Sequence, residues 1–306
     1  MSPSGTKVAV EVEGRQLVLS NLEKVLYPEV GFSKAQVIDY YTRIAPVMLP
    51  HLRGRPATFK RYPDGAEGKF FFEKNAPKHK PDWVRTVELA SPGSTKNRET
   101  IDYVVIDDLP TLVWAANLAS LELHVPMWRV GPRGAPKGAD TLVFDLDPGP
   151  PATIVECCAV AQILREALAE DGLTGYPKTS GSKGLQLYVP VKPVDPERTW
   201  SYAKELAQRL EREHPSLIVF KMEKALRPGK VLVDWSQNSP AKTTVAPYSL
   251  RARPRATAST PVTWDEVEAC TRPEDLSFTA DEVLERVAAH GDLLAPLLEG
   301  GPRLPG

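Results

Sequence analysis

The stretch TLVFDLDPGP, residues 141–150, ends an apolar run with two carboxylates, Asp145 and Asp147, and a Pro-Gly turn. Because side chains alternate between the two faces of a strand, these carboxylates are expected on one face, roughly 7 Å apart. Like charges at that distance repel each other and raise each other's pKa unless a positive charge lies between them. The pattern therefore predicts either a divalent cation, which prefers carboxylate oxygens, or a strand end at which both acids face water.

A third acid occupies the same kind of position. In KVLVDWSQN, residues 230–238, Asp234 ends a second apolar strand. Three carboxylates from two strands can hold two divalent ions about 4 Å apart, the arrangement used for in-line phosphoryl transfer. In that chemistry one ion lowers the pKa of an attacking 3′-hydroxyl, and the other steadies the leaving pyrophosphate.

Two further motifs suit a nucleotide ligand. The glycine turn SGSKG, residues 180–184, lets backbone N–H groups approach an anion, and Lys183 adds a charge, although the Walker A pattern is absent. In GKFFFEKN, residues 68–75, aromatic side chains among lysines would form a stacking platform for bases if the strand is exposed. Each motif also has an ordinary interpretation. The glycine turn would then be a hairpin turn with an exposed lysine, and the three phenylalanines would fill the core. A lone histidine such as His124, before a proline, is more often structural than catalytic.

The composition is that of an ordinary globular protein, with 42% apolar and 25% charged residues in 306 positions and a net charge of −1. Positive charge is nevertheless concentrated in two segments. Residues 51–80 carry eight Lys or Arg against three acids, and residues 221–255 carry eight against two. Such local charge predicts an anionic ligand, although two solvated basic surfaces would give the same pattern.

Several other classes are disfavoured. No apolar segment is long enough to span a bilayer, and the N-terminus lacks a hydrophobic signal core, so neither a membrane protein nor export is expected. The three cysteines have neither a disulfide nor a zinc spacing, which favours a reducing cytoplasm. We therefore expect a cytoplasmic protein.

Periodicity predicts an α/β or an α+β (mixed α/β) fold with two mixed or antiparallel sheets flanked by helices. Capping boxes, Ser33 with Gln36 and Thr153 with Glu156, indicate the starts of two helices. The predicted helices cover residues 33–48, 110–120, 153–172 and 196–215 and most of the chain from residue 264. The predicted strands cover 7–19 as a hairpin, 56–61, 84–89, 101–105, 121–125, 141–147, 174–179, 184–190, 230–237 and 242–250. A single domain, 1–306, is expected, with an N-terminal part (1–130), a catalytic sheet (131–258) and an acidic helical end (259–306).

Together these motifs resemble the polymerase domain of bacterial ATP-dependent DNA ligase D, a branch of the archaeo-eukaryotic primase superfamily. The resemblance covers nearly the whole chain, in family order, through NLEKVLYP, GRPATFKRYP, FFEK, LELHVPMWR, LVFDLDPG, TSGSKGL, KVLVDWSQN and KTTVAPYSLR. It implies a primase-like catalytic core and a template-directed polymerase. Such an enzyme would fill gaps and extend 3′ ends during bacterial non-homologous end joining, with a preference for ribonucleotides.

The resemblance also implies roles for individual residues. The catalytic metal ligands would be Asp145, Asp147 and Asp234, which would hold two Mn²⁺ or Mg²⁺ ions, with manganese favoured. The incoming nucleotide would contact Lys60, Phe71, Phe72, His124, Ser180, Lys183, Arg227, Gln237 and Arg251. The 5′-phosphate of a downstream DNA strand would contact Asn21, Lys24 and Lys34. The implied partners are DNA ends, gapped or 3′-overhang DNA with a 5′-phosphate, NTPs and dNTPs, Ku, and ligase modules, with no membrane.

At one position the chain departs from the family pattern. Histidine usually follows SGSKGL, whereas this chain has Gln186, which can be included among the nucleotide-binding positions but offers only neutral hydrogen bonds. Binding of the triphosphate is therefore the part of the function that the resemblance supports least. The 306 residues leave no room for a ligase or nuclease module, so the chain is expected to be either a stand-alone relative or one domain of a longer protein.

Two other functions fit the sequence less well. A haloacid-dehalogenase-type phosphohydrolase also ends a strand in D-x-D, but it needs Thr or Val two residues after the second Asp, where this chain has Gly149. A non-catalytic module that bridges DNA ends with the same fold is disfavoured by the three intact carboxylates and is favoured only by Gln186.

Overall fold

The computed structural model describes residues 6–91 and 99–305, and within them the predicted α+β fold is confirmed. The strands are β1 (Lys7–Val12), β2 (Arg15–Ser20), β3 (Val25–Tyr27), β4 (Phe32–Ser33), β5 (Pro56–Arg61), β6 (Phe71–Glu73), β7 (Thr86–Ala90), β8 (Thr100–Val105), β9 (Ser120–Val125), β10 (Trp128–Val130), β11 (Pro136–Pro148), β12 (Tyr176–Thr179), β13 (Leu185–Val194), β14 (Ile218–Val219), β15 (Val231–Asp234) and β16 (Thr244–Val245). The α-helices are α1 (Lys34–Leu52), α2 (Leu109–Asn117), α3 (Ile154–Glu170), α4 (Pro196–Glu213), α5 (Trp264–Ala269) and α6 (Ala280–His290). None of the helices in these ranges is long and apolar enough to cross a membrane.

The first sheet has the strand order β16-β9-β5-β8-β7, and β6 also pairs with β5. Alternation along β9 sends Leu121, Leu123 and Val125 into the core, which α1 and α2 cover from one side. Glu122 and His124 therefore point to the opposite face of the sheet. Helix α1 begins with the predicted capping box of Ser33 and Gln36.

The second sheet has the order β12-β13-β11-β15-β14, and β10 also pairs with β11. Its pairs are antiparallel except β14 with β15, which run parallel. Leu142, Phe144 and Leu146 of the central strand β11 are fully buried in a core shared with α3. The same alternation sends Asp145 and Asp147 to the other face, as the sequence predicts.

Two predicted strands are shorter in the structure. Of the predicted strand 242–250, Thr244–Val245 forms β16 and joins β9 of the first sheet, and Leu250 makes an isolated antiparallel bridge with Ala258. Beyond β16 the chain turns away, because Tyr248 has a positive φ of 66° and its N–H bonds the Ser259 carbonyl oxygen. Strand β15 ends at Asp234, where the 3₁₀-helix Trp235–Asn238 begins.

The alternative that all three phenylalanines of residues 70–72 fill the core is wrong, since they are 51%, 43% and 52% exposed.

Beyond the end of β15, the side-chain amide of Asn238 bonds the backbone of β11. Its Oδ1 accepts the Val143 N–H at 2.9 Å, and its Nδ2 donates to the Val143 carbonyl oxygen at 2.7 Å. Nδ2 also donates to the Trp235 carbonyl oxygen at 2.8 Å. The side-chain amide thus pairs with β11 as a peptide group of a longer β15 would, which satisfies buried backbone groups beside the acids.

Replacing Asn238 should therefore destabilise the second sheet. We expect Asn238→Ala to lower the free energy of unfolding by about 3 kcal/mol, because the buried Val143 N–H and carbonyl oxygen lose their partners. Guanidinium denaturation measures this change. Gln16→Ala removes an exposed bond to Glu11 and should change stability by less than about 0.5 kcal/mol. Equal effects of the two substitutions would contradict the role assigned to Asn238.

Candidate active site

The three carboxylates lie on adjoining strands of the second sheet. Asp145 is the direct cross-strand partner of Asp234 on one side and of Gln186 on the other. Burial, the charge of Asp234 and, to a smaller extent, that of Asp147 raise the pKa of Asp145 to about 6. The sheet therefore concentrates more negative charge at this point than its surroundings neutralise.

Each carboxylate accepts hydrogen bonds or ion pairs from nearby side chains. Gln186 Nε2 donates to Asp145 Oδ1 at 3.1 Å. Asp234 Oδ1 accepts from the Ser236 N–H at 3.0 Å and Oγ at 2.5 Å, and its Oδ2 accepts from Gln237 Nε2 at 2.9 Å. The predicted residues Gln186 and Gln237 thus both lie against the acids.

Asp147 has cationic partners instead. Lys183 Nζ lies 3.0 Å from Oδ1, and Arg227 Nη1 lies 3.3 Å from Oδ2. Across residues 6–91 and 99–305, no three His, Cys, Asp or Glu side chains are gathered closely enough to hold a metal ion in this arrangement. The donor set itself, three carboxylates of which Asp147 pairs with cations, is of the kind that Mn²⁺ and Mg²⁺ prefer.

The turn of residues 180–184 lies beside Asp147 and is internally bonded. Ser180 Oγ accepts the N–H groups of Ser182 at 3.2 Å and Gly184 at 3.1 Å. Gly181 has a positive φ of 65°, and Gly184 packs so closely on the Leu146 carbonyl oxygen that a Cβ would clash. Both glycines are therefore required for a turn that brings Lys183 to the acids.

The candidate site has two sides, which we call walls. The acids and the glycine turn of the second sheet form one wall, and residues of the first sheet form the other. Lys60 pairs with Phe72 across β5 and β6, and its Nζ lies 4.3 Å from the Phe70 ring centroid and 5.7 Å from that of Phe72. The Phe72 and His124 rings meet edge to face at 6.2 Å. These residues form an exposed aromatic surface that carries a positive charge, as the stacking interpretation requires.

Phe71 lies on the other face of β6. Its ring faces the Arg61 guanidinium, 5.1 Å from the ring centroid, because neighbouring residues of a strand point in opposite directions. Of the two phenylalanines predicted at the nucleotide, only Phe72 shares a surface with Lys60 and His124.

Sequence reasoning missed Glu122, which is 2% exposed and organises this wall. Its carboxylate accepts from Tyr62 OH at 3.1 Å, the Ala252 N–H at 3.3 Å and His124 Nε2 at 3.0 Å, and it pairs with Lys60 at 3.4 Å and Arg251 at 3.3 Å. Burial alone would raise the pKa of Glu122, but the His124 hydrogen bond and the charges of Arg251 and Lys60 outweigh it and lower the pKa below its usual range. The period-two pattern of LELHV puts Glu122 on the face of His124, which was the available signal.

Arg251 connects the two walls. Besides its ion pair with Glu122, its Nη1 donates to the Ser180 carbonyl oxygen of the glycine turn. The predicted residue Arg251 therefore fixes the position of the turn relative to the aromatic surface. Burial lowers the pKa of His124, although the hydrogen bond and the charge of Glu122 partly offset this effect.

Lys178 of β12 was also missed. It has no exposed surface, and burial lowers the pKa of its ammonium group well below the usual value. Its Nζ donates to Gln186 Oε1 at 2.5 Å. In the sequence GYPKTS a lysine on a short strand predicts a solvent-facing side chain, so no local pattern indicated its burial.

The three predicted phosphate contacts are brought together away from the acids. Asn21 adopts a positive φ of 55°, its carbonyl oxygen accepts the Lys24 N–H, and the Lys24 carbonyl oxygen accepts the Lys34 N–H. Lys24 is exposed and pairs with Asp64 at 3.4 Å. Lys34 is only 5% exposed, and its Nζ donates to the Ser20 carbonyl oxygen at 2.6 Å. Burial, followed by the charges of Lys24 and Arg61, lowers the pKa of Lys34 to about 8.

Comparison with known proteins gives consistent matches. The family model for the LigD primase-polymerase domain matches residues 33–294. The multifunctional non-homologous end joining protein LigD of Mycolicibacterium smegmatis is 45% identical over 287 residues, which are 93% of this chain and 36% of the relative. The bifunctional non-homologous end joining protein LigD of Bacillus subtilis is 31% identical over 278 residues, which are 90% of this chain and 43% of the relative. The polymerase domain from Mycobacterium tuberculosis ligase D in complex with DNA is a solved structure with a TM-score of 0.87 and 45% identity, covering 94% of this chain and 99% of that chain.

The matches define the class as a nucleotidyltransferase of the primase-polymerase type. The chain belongs to the LigD primase-polymerase domain family. It spans less than half the length of the curated relatives named above. The resemblance inferred from sequence is thereby confirmed.

Removing the charge of Glu122 should destabilise the protein in a pH-dependent way. We expect Glu122→Gln to lower the free energy of unfolding by about 3 kcal/mol near pH 7, because Lys60 and Arg251 lose a buried partner. Since the pKa of Glu122 is lowered on folding, its contribution is complete above the unfolded pKa of about 4.3 and is lost as the pH falls below it. Urea denaturation at pH 7 and at pH 3 should show a difference between variant and unmutated protein that shrinks at pH 3.

The matched control is Glu73→Gln, which removes one partner of the less buried pair between Glu73 and Arg61. Its effect should be smaller, because solvent screens both charges. A Glu122→Gln effect that equals the control, or that grows at low pH, would contradict the assigned network.

Proposed function

We propose that this domain adds nucleotides to DNA 3′ ends, in gaps and at overhangs with a downstream 5′-phosphate, during bacterial non-homologous end joining. It uses NTPs in preference to dNTPs and two divalent cations, with Mn²⁺ favoured. Ku and ligase modules, in the same protein or separate, are its partners in the cytoplasm. The observation that carries the proposal is that Arg251 joins two walls, the acids with the glycine turn on one sheet and a cationic aromatic surface on the other.

Each wall suits one part of a nucleoside triphosphate. The exposed face of Phe72 offers a stacking surface for the base, and Lys60 beside it adds a positive charge. His124 is a polar group that can read the ribose 2′-hydroxyl, which is both a donor and an acceptor. The glycine turn and Lys183 suit the triphosphate.

An unused donor supports an anion at this position. Within the described part of the chain, the buried Nε of Arg227 makes no hydrogen bond, whereas the Nε of Arg251 lies 3.3 Å from Glu122 Oε2. A buried donor without a partner is costly, and a phosphate oxygen would supply one. Lys183 and Arg227 pair with Asp147, and they can form ion pairs with a triphosphate instead when a cation binds the Asp147 carboxylate.

Asp145, Asp147 and Asp234 would hold the divalent cations. When bound, these ions would lower the pKa of the primer 3′-hydroxyl and neutralise the leaving pyrophosphate. The raised pKa of Asp145 supports this assignment, because a cation relieves the repulsion between the carboxylates. Gln186 and Gln237 orient Asp145 and Asp234 through their amide groups.

Removing either acid of β11 should abolish nucleotide addition and leave the fold intact. We expect Asp145→Ala and Asp147→Ala each to lower primer extension with Mn²⁺ by at least about 100-fold. Their melting temperatures should change little, because the loss of like-charge repulsion offsets the lost hydrogen bonds. Asp265→Ala, which removes an exposed acid of α5, is the control. Extension by either variant near the unmutated rate would refute the metal assignment, and DNA-end binding without extension by the unmutated protein would favour the end-bridging alternative.

The two phenylalanines of β6 allow a paired test of base stacking. We expect Phe72→Ala to raise the KM for the incoming nucleotide by an amount equivalent to about 1–3 kcal/mol, because a stacked base loses its surface. Phe71→Ala should have the smaller effect, since Phe71 faces Arg61. Single additions of matched rNTPs and dNTPs measure both the stacking and the sugar preference. Equal effects of the two substitutions would refute the stacking role, and a dNTP preference would refute the sugar proposal.

The DNA end should bind through Asn21, Lys24 and Lys34. We expect gapped DNA with a 5′-phosphate to bind more tightly than the 5′-hydroxyl form, and Lys24→Ala or Lys34→Ala to remove that difference. Higher salt should weaken the preference, because the contact releases counterions. It should also weaken as the pH rises through about 8, where Lys34 loses its charge.

Fluorescence anisotropy on the two gapped duplexes between pH 6.5 and 9 measures these effects. Glu23→Gln, which changes a neighbouring charge of the opposite sign, should keep the preference. Equal binding of both duplexes by the unmutated protein would leave the two lysines without this role.

A further inference from the structure

Lys178 is a buried cation whose direct partners are all uncharged. Its ammonium group donates to Gln186 Oε1 at 2.5 Å, Ser259 Oγ at 2.6 Å and the Val245 carbonyl oxygen at 3.1 Å, so that all three of its N–H groups are used. The Tyr188 ring centroid lies 5.0 Å from Nζ. A charge buried in this way is costly unless its surroundings compensate it, which directs attention to what the ammonium group does.

The lysine determines which way the Gln186 amide points. An ammonium group can only donate, so Gln186 must turn its carbonyl oxygen towards Lys178. Its NH₂ group then faces Asp145, where Nε2 donates to Oδ1 at 3.1 Å. Lys178 is the direct cross-strand partner of Gln186, and Gln186 is that of Asp145, so three neighbouring strands place these side chains in one row.

We infer that Lys178 is a positioning residue: through the oriented Gln186 amide it fixes the Asp145 carboxylate for a divalent cation. The catalytic part of this inference rests on the proposed function, whereas the cation-binding part does not. Among the described residues, Gln186 is the one side chain that donates to Asp145, and Asp145 Oδ2 accepts no hydrogen bond, which leaves that oxygen available as a ligand.

Lysine and glutamine depend on each other in this arrangement. Without Lys178, the Gln186 carbonyl oxygen loses its partner and the amide is held only by its bond to Asp145, so that its orientation is less fixed. A histidine at position 186 needs no such partner, since its own ring N–H can donate to the carboxylate. The pair can therefore be separated by substitution, and the two changes should not be additive.

The test compares Lys178→Met, Gln186→His and the double variant. Binding of Mn²⁺ alone, measured from the electron paramagnetic resonance signal of the free ion, and steady-state nucleotide addition are the two readouts. We expect Lys178→Met to weaken Mn²⁺ binding and lower kcat by about 10–100-fold, the usual effect of losing a group that orients a metal ligand. The KM for the nucleotide should change much less, and adding Gln186→His to Lys178→Met should restore most of both losses.

Arg55→Met is the matched control, because Arg55 is another buried cation, paired with Asp140 at 2.7 Å, outside the acid cluster. It should lower the melting temperature without changing Mn²⁺ affinity. If Lys178→Met does not fold, Gln186→Leu in the chain with Lys178 intact should show the same loss of Mn²⁺ affinity, because the lysine acts only through the amide.

Three results would overturn the inference: Mn²⁺ affinity unchanged by Lys178→Met, no recovery in the double variant, or Mn²⁺ affinity unchanged by Gln186→Leu. A protein that binds Mn²⁺ with the expected pattern of variants but adds no nucleotide would refute the proposed function and support the positioning role. The two failures are thus distinguishable.

Discussion

Asp145 and Asp234 face each other across two paired strands, and the repulsion between these carboxylates governs the arrangement of the surrounding side chains. A sheet cannot relax such a pair by moving one strand, because the ladder hydrogen bonds and the packed face beneath it fix the register. The donors around the acids, Gln186 on one side and Ser236 with Gln237 on the other, compensate the charge in part. What they leave uncompensated is the physical basis for the proposed cation site.

Charged side chains also fix the two sheets relative to each other. Arg251 reaches from Glu122 on the first sheet to the glycine turn on the second. Lys178 reaches from β12 to the Val245 carbonyl oxygen on β16, which belongs to the first sheet. Both connections are directional, so the relative position of the two sheets is set by bonds with defined geometry as well as by apolar packing. A binding site for an elongated, multiply charged ligand needs this kind of rigidity.

Features that depend on local sequence could be predicted, and features that depend on distant partners could not. The capping box at Ser33 and the shared face of Asp145 and Asp147 follow from spacing alone. Glu122 and Lys178 were missed because their partners Arg251 and Ser259 lie far along the chain. The residues expected to contact the nucleotide are those that the family resemblance implies. Only the structure shows on which wall, and on which face of its strand, each of them lies. The ends of the strands after Asp234 and Val245 depend on side-chain bonds that no periodicity reports.

The substitution of a side-chain amide for a strand residue at Asn238 has a consequence for how this domain can vary. The 3₁₀-helix Trp235–Asn238 must deliver an amide to Val143 while its first residues bond Asp234, so its length is fixed by two anchors at once. Most surface connections accept extra residues at small cost. Here a single inserted residue would either withdraw the amide from β11 or rotate the acid away from its neighbour. The 3₁₀-helix Trp235–Asn238 can therefore accept substitutions more readily than insertions or deletions. Engineering of this domain should place insertions elsewhere.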